Sequence, residues 1–439
     1  MTSSLRESPR ARRYRTYLLG LLGAIYAFNY LDYQAISLVL QNIKTTFNVT
    51  DAELGFLTGI AFTLFYATLG VPIGRWADRG NRVAIIALTL GLRSVMVMLS
   101  GATRTFGELL LVRIGVAAGE AGCLPPALSL IADYFSPAER PRAVAIYLLG
   151  FPLSVLAGFF IGGWLNELYG WRMMFVLMGA PGLVLMIIAF LTLDEPRLRT
   201  EEAATGLARV SSPDVRAPPV SEVCRALWGN RTFLHVLAAF CVNYFFGTAV
   251  GQWQPAFFIR SFGFNTLDLG ILLALIFGGA GAIGTYFGGY VASRYAPGNA
   301  WLQLRVLAVL NVAFGVISAF SYLSGSAYAS LALTGLAFLG VSVLTGPLFA
   351  AVQTVVPQRM VGTAIAVIML TANLVGAGLG PMAVGTLSDA LRSSVGTESL
   401  RFALLATCPG FVWGAWHLWR AARTVASDTE AASRLGSGA

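Results

Sequence analysis

Three ionisable residues sit in segments otherwise fit for lipid: Asp32 in YAFNYLDYQAISL, and Arg113 and Glu120 in ELLLVRIGVAAGEAGCLPPAL. A charge at the centre of a membrane helix costs about 2.5–3.5 kcal/mol even on lenient scales, so such residues face protein or water and carry ion or proton chemistry by default. Arg113 and Glu120 are two helical turns apart, about 10.5 Å of rise, so they leave one face without reaching each other. Asn29 precedes Asp32 by three residues, which places an amide and a carboxylate on one face of the first apolar segment. In a single bundle Asp32 neutralises Arg113 and leaves Glu120 as an acid without a base. Burial penalises its charge, so it takes up a proton and returns it when water arrives, as a proton-coupled carrier requires. The alternative is that the three charges only hold helices together, since buried ion pairs can be purely structural. Arg93, inside the third apolar segment, is a fourth charge that this reading leaves unplaced.

Those charges need helices to hold them. The 439 residues are 56% hydrophobic and 12% charged, about half the charged fraction of a soluble protein. Apolar stretches near 20 residues, the length that crosses a bilayer core, recur along the whole chain. They number about twelve, six before the polar stretch DEPRLRTEEAATGLARVSSPDVRAPPVSEVCRALWGN and six after it. The pattern predicts an all-α polytopic membrane protein, with twelve transmembrane helices in two pseudo-symmetric six-helix bundles. The expected divisions are a tail over 1–15, a first bundle over 16–193, a linker over 194–231, a second bundle over 232–421 and a tail over 422–439. The opening RESPRARRYR followed by an apolar run imitates a secretory signal. The run is too long, contains Asp32 and lacks a clear cleavage site, so it reads as an uncleaved first span, and the final SRLGSGA receives no structure.

Loop charge sets the orientation. Arg75, Arg79 and Arg82 fall between spans two and three, Arg140 and Arg142 between four and five, and more arginines in the linker, which puts both termini on the cytoplasmic side of an inner or plasma membrane. The net charge of +9 does not point to nucleic acid, because no basic face is interleaved with exposed aromatics. Cys123, Cys224, Cys241 and Cys408 are scattered without CxxC spacing and there are only two histidines, so no metal, disulfide or cofactor is expected. His235 and His417, near the ends of their spans, read as interfacial. No nucleophile–base pair or phosphate-binding loop stands in the spans, which argues against an integral membrane enzyme acting on lipids.

The halves echo each other: Gly70, Gly74 and Asp78 recur as Gly284, Gly288 and Ala292 at the end of each half's second span, and Pro126 and Pro137 as Pro347 and Pro357. A parallel repeat of this kind builds many secondary transporters, with the binding site between the halves near mid-membrane. In GRWADRGNR, Gly74, Asp78, Arg79, Gly80 and Arg82 form a short turn that can set a carboxylate against the positive N-terminal end of a neighbouring helix, as a latch. Asp133, Glu139, Arg140 and Arg142 either join the same cytoplasmic network or form a solvated loop. In the second half the intramembrane polar residues are amides and aromatics: Asn243, Tyr244, Gln252, Trp253 and Asn373. With Asn29, Tyr33 and Arg113 they are the candidates for substrate contact.

The turn GRWADRGNR resembles the signature loop of the major facilitator superfamily, and NYLD, RIGVAAGEAG and IADYFSPAERPRAVAIY resemble its spinster-like branch, whose members are implicated in moving sphingolipids and lysophospholipids. The resemblance implies a proton-coupled carrier working by alternating access, usually as one chain. The branch's first-span Asp falls on Asp32, its fourth-span Arg and Glu on Arg113 and Glu120, and the loop's Asp on Asp78. It also implies that Asp78 latches the outward-facing form by meeting the start of the eleventh span near Arg359 to Gly362. One position departs: the residue after Asp32 is usually Arg in these relatives and is Tyr33 here, which shifts the balance of the cluster towards the acids. The expected cargo is an amphipathic lipid whose head group meets Arg113, moved with protons; a sugar acid or other organic anion is the second reading, and it calls for more polar donors in the second half than Asn243, Gln252 and Asn373.

Overall fold

The computed structural model describes residues 9–196, 220–295, 299–357 and 360–437, and among them every regular element is helical. In chain order the first half holds α1 (Pro9–Phe47), α2 (Asp51–Thr58), α3 (Ile60–Arg79), α4 (Arg82–Ala102), α5 (Phe106–Glu120), α6 (Leu124–Tyr134), α7 (Arg140–Leu148) and α8 (Gly150–Thr192). The second half holds α9 (Val220–Gly229), α10 (Arg231–Phe262), α11 (Thr266–Leu273), α12 (Gly281–Tyr295), α13 (Ala300–Leu323), α14 (Ala327–Val355), α15 (Val361–Ala372), α16 (Leu379–Val395), α17 (Ser399–Leu405) and α18 (Pro409–Ser437).

Among the described residues nine stretches are long and apolar enough to cross a membrane. Two of them hold two passes each. Arg140–Thr192 turns at Gly170, whose φ of +77° suits only a residue without a Cβ, and Val361–Glu430 turns at Gly396, φ +61°. With α1, whose Asn29, Asp32 and Gln34 dilute its hydropathy, the twelve expected passes are present. Helix starts follow ordinary capping chemistry. Thr50 and Glu53 form a reciprocal capping box on α2, and the side chains of Asn81, Asn230, Asn265, Asn299 and Ser326 each accept the backbone N–H three residues on. Two π-helical turns, Ala274–Ala280 and Asn373–Gly378, interrupt the ladders between α11 and α12 and between α15 and α16. The helices overrun the expected tails: α1 begins at Pro9, α18 continues to Ser437, and α9 lies inside the stretch read as linker.

The chain forms two compact units. The first comprises residues 1–36 and 65–210, the second 37–64 and 211–439. In the first, α4 packs along α8 and α5 because glycines remove the side chains between them: a Cβ on Gly179 would strike Met98 and the Ser94 carbonyl, and one on Gly119 would meet Thr89 and Arg93. Its apolar core gathers Leu18, Leu22, Ile25, Ile86, Leu90, Leu130 and Tyr147. The second unit is centred on Phe233, Val236, Leu304, Val352, Ile368 and Leu418.

Within the second unit, α2 lies against α16 by glycine contacts as well. Gly55 and Gly59, four residues apart, face the carbonyls of Pro381 and Gly378, and Gly385 faces the carbonyl of Asp51. Replacing Gly55 by Leu forces these backbones apart, and a loss of about 1–3 kcal/mol is expected, read as a lowered melting temperature of the purified protein in detergent.

Candidate functional site

In the first unit, α1, α4 and α5 bring four charges together. Asp32 is 2% exposed, and one of its oxygens accepts from Arg113 at 2.6 Å while the other accepts from Arg93. Arg93 also donates to the Phe28 carbonyl at 3.3 Å, and its Nε lies 4.0 Å from the Glu120 carboxylate. Glu120 is 5% exposed, and among the described residues its carboxylate has no closer ion pair and accepts no hydrogen bond. The expected pairing of Asp32 with Arg113 is present. Glu120, however, is not an acid without a base: Arg93 stands against it, so the cluster holds two acids and two bases rather than two and one. Gly119 explains the difference, because its missing side chain lets the α4 backbone at Arg93 close onto α5 beside Glu120. The cation that the resemblance places at position 33 is supplied to Asp32 from another helix.

The surroundings divide into occupied and available polar groups. The Asn29 amide donates to the Glu120 backbone carbonyl at 3.4 Å, which ties α1 to the end of α5. Tyr30 hydrogen-bonds Tyr66, and both phenols lie within electrostatic reach of Glu120. Tyr33 is half-buried on α1. Reading single helices misses Tyr30 and Tyr66 because tyrosine is common at membrane interfaces.

In the second unit, the Trp253 indole is fully buried and donates to the Pro381 carbonyl at 2.8 Å, so its polar atom joins α10 to α16. The Asn373 amide donates to Met369 within its own helix at 2.8 Å. The Asn243 oxygen accepts from Asn311 at 3.0 Å, while Asn243 Nδ2 and the Oε1 of buried Gln252 have no hydrogen-bond partner among the described residues. Tyr244 is half-buried against Gly376. His235 and His417 meet through their Nδ1 atoms at 3.1 Å, joining α10 to α18.

In the signature turn the described contacts centre on Arg82. Arg82 is fully buried, gripped by Glu195 through its backbone N–H at 2.7 Å and its guanidinium, and it also meets Asp133 at 2.6 Å and Ser129 at 2.9 Å. Arg82 is thus an internal brace of the first unit, and Glu195, in the DEPR sequence, is the partner that reading the loop alone did not supply. Gly80 packs against the Trp76 carbonyl, and a Cβ on Gly74 or Gly362 would meet nothing. The side chains of Asp78 and Arg79, and all of Arg359, lie outside the described residues, and with them the expected latch. Of the neighbouring loop, Asp133 joins Arg82, whereas Glu139 pairs with Arg15 at 2.6 Å and Arg142 is exposed. The Ser136 hydroxyl and then Arg15 hold the Glu139 carboxyl below the usual glutamate range, so this contact persists in neutral solution and is lost as pH falls through that lowered value.

A second ionic cluster was not anticipated. Asp51, 2% exposed at the start of α2, accepts from Arg260 at 2.7 and 2.8 Å, from Lys44 at 2.5 Å and from Ser388 at 2.7 Å. Asp389 caps the same helix start, taking the N–H groups of Asp51 and Ala52, where a carboxylate meets the positive end of the helix. In the sequence these residues stand at span ends, where charge is unremarkable.

The chain is similar over most of its length to known transporters. It shares 31% identity with an MFS-type efflux pump of Mycolicibacterium smegmatis over 88% of this chain and 87% of that one. With a probable L-galactonate transporter of Escherichia coli it shares 26% over 91% and 88%, and with protein spinster homolog 1 of Xenopus laevis 26% over 88% and 76%. The crystal structure of a bacterial homolog of the human lysosomal transporter Spinster, inward-facing and unoccupied, superposes with a TM-score of 0.83 at 29% identity, covering 96% of this chain and 99% of that one. Residues 22–381 match the Major Facilitator Superfamily. The chain therefore belongs to that superfamily, as a spinster-like, multi-pass membrane transporter rather than an enzyme.

Proposed function

We propose that this protein carries an amphipathic lipid of the sphingolipid or lysophospholipid kind by proton-coupled alternating access, with Asp32, Arg93, Arg113 and Glu120 as the coupling cluster. The observation that carries the reading is the asymmetry of the two acids: Asp32 accepts from both arginines, while Glu120 has only the 4.0 Å approach of Arg93. A proton arriving on Glu120 breaks no hydrogen bond of its own and releases Arg93 from part of its countercharge. A ligand or proton shifts a conformational equilibrium only through a differential interaction, and Glu120 is the group whose interaction changes most cheaply. Arg113 then meets an anionic head group.

The second reading, a sugar-acid carrier, draws on two relatives, the probable L-galactonate transporter and the probable galactarate/D-glucarate transporter GudP of Bacillus subtilis. A polyhydroxylated anion needs many donors and acceptors, because a buried polar group left unmatched costs about 1–3 kcal/mol. In the second unit the amide of Asn373 and the indole of Trp253 already have backbone partners, and the unpartnered Asn243 Nδ2 and Gln252 Oε1 are fewer groups than a polyhydroxylated anion calls for, which favours a cargo with an apolar tail. Counterflow in proteoliposomes at two pH values tests both readings. Lysophospholipid exchange faster than hexuronate exchange supports the first, and hexuronate exchange alone replaces it with the second. In Glu120→Gln the dependence of flux on pH is expected to vanish while the protein still folds; an unchanged pH profile removes Glu120 from coupling.

A further inference from the structure

At one end of the second unit, Arg305 on the second turn of α13 lies against two tryptophans, its guanidinium carbon 4.0 Å from the Trp301 ring and 4.4 Å from the Trp419 ring. A guanidinium held against two rings has few orientations open to its planar N–H fork, the geometry that suits two oxygens of a phosphate. That edge has nothing to hold. Among the described residues Arg305 makes no ion pair and no hydrogen bond, and its Nε is buried without an acceptor. Arg420, one residue beyond Trp419, lies over Trp416 at 5.6 Å and also has no carboxylate among the described residues. Asp428, an acid at this end of α18, is taken by the N–H of Thr232 at 2.7 Å. Trp301 and Trp416 are 43% and 51% exposed, as tryptophans are where a helix meets the head-group layer.

We propose that Arg305, flanked by Trp301 and Trp419 and assisted by Arg420, binds the head-group phosphate of an anionic phospholipid of the surrounding leaflet. The charge complementarity is specific: a half-buried guanidinium held against two aromatic rings lacks an anion, and where tryptophans mark the head-group layer of a bilayer the available anion is a lipid phosphate. The acyl chains then lie along the exposed flank of α18 at Val412 and Trp413. The site is independent of the cargo and of Glu120, so it survives failure of the proton-coupling reading.

Native mass spectrometry of the full-length protein, released from detergent with phosphatidylglycerol, phosphatidylcholine or soluble glycerol 3-phosphate as probes, tests this. Phosphatidylglycerol is expected to remain bound in preference to phosphatidylcholine, and glycerol 3-phosphate not to displace it. Arg305→Gln is expected to weaken phosphatidylglycerol retention about fivefold, the factor for one surface basic residue near an anionic head group. Arg305→Lys, which keeps the charge but loses the planar stack, falls between. Should Arg305→Gln lower the melting temperature in phosphatidylcholine alone, the exposed Trp301→Leu provides the same comparison without opening the interior. Equal retention of both lipids by the wild-type protein, or unchanged phosphatidylglycerol retention in a folded variant, overturns the proposal.

Discussion

Asp32→Asn is expected to abolish transport and to destabilise the first unit by about 3–5 kcal/mol, the usual result of removing one partner from a buried ion pair. Asp32 accepts from both Arg93 and Arg113, so its neutralisation leaves two guanidiniums, 1% and 2% exposed, with Glu120 as the remaining carboxylate of the cluster. The amide that replaces it offers one acceptor where two charge-assisted bonds stood. A melting curve in detergent and a flux assay in vesicles read the two effects separately. Arg93→Gln in the same chain should return part of the stability, because it removes one of the uncompensated charges; the coupling between the two substitutions then measures the pair directly. A variant with wild-type melting and flux would mean that water already solvates the arginines.

Asp51→Asn is expected to cost about 2–3 kcal/mol, less than Asp32→Asn, because Lys44 and Arg260 are 13% and 12% exposed at their side chains and keep access to solvent. The local effect is larger than that number suggests. Asp51 is the shared acceptor of Arg260, Lys44 and Ser388, and it stands at the point where α2 and α16 approach with only glycine between them. Loosening one corner of so close a contact exposes backbone rather than side chain. Hydrogen–deuterium exchange over residues 51–58 should therefore accelerate in the variant while exchange in α4 and α5 stays unchanged. Equal protection in both proteins would show that the glycine contacts hold α2 without the ion pairs.

The architecture was legible where hydropathy carries it. The twelve passes follow from repeated apolar lengths, and the Asp32–Arg113 pair follows from the cost of leaving either charge alone in hydrocarbon. Arg93 was visible as an intramembrane charge, yet nothing in a single sequence says which neighbour its helix will face. That depended on Gly119, whose role is to be absent as a side chain; small residues such as Gly115, Ala118 and Gly122 beside Glu120 suit close helix packing, but a single sequence does not say against what. The Asp51 cluster was hidden for another reason. Its members are spread from Lys44 to Ser388 and each stands at a helix end, where a charged residue demands no explanation. Caps such as Asn230 and Asn299 could be read locally, whereas the two π-helical turns depend on packing that has no local signature.

The membership of residues 37–64 bears on any attempt to split the protein. The chain leaves its first unit after Ile36, contributes α2 and its flanks to the second, and returns at Phe65. A gene divided at the polar stretch around residue 210 would thus encode an upstream polypeptide that holds the whole first unit together with a piece of the second, and a downstream polypeptide whose unit is incomplete. The upstream product would carry an unpartnered α2 with its glycine face bare, and the downstream product would lack the strip that covers α16. Swapping sequence halves with a relative would likewise pair an α2 and an α16 from different proteins across a contact made by glycines and backbone.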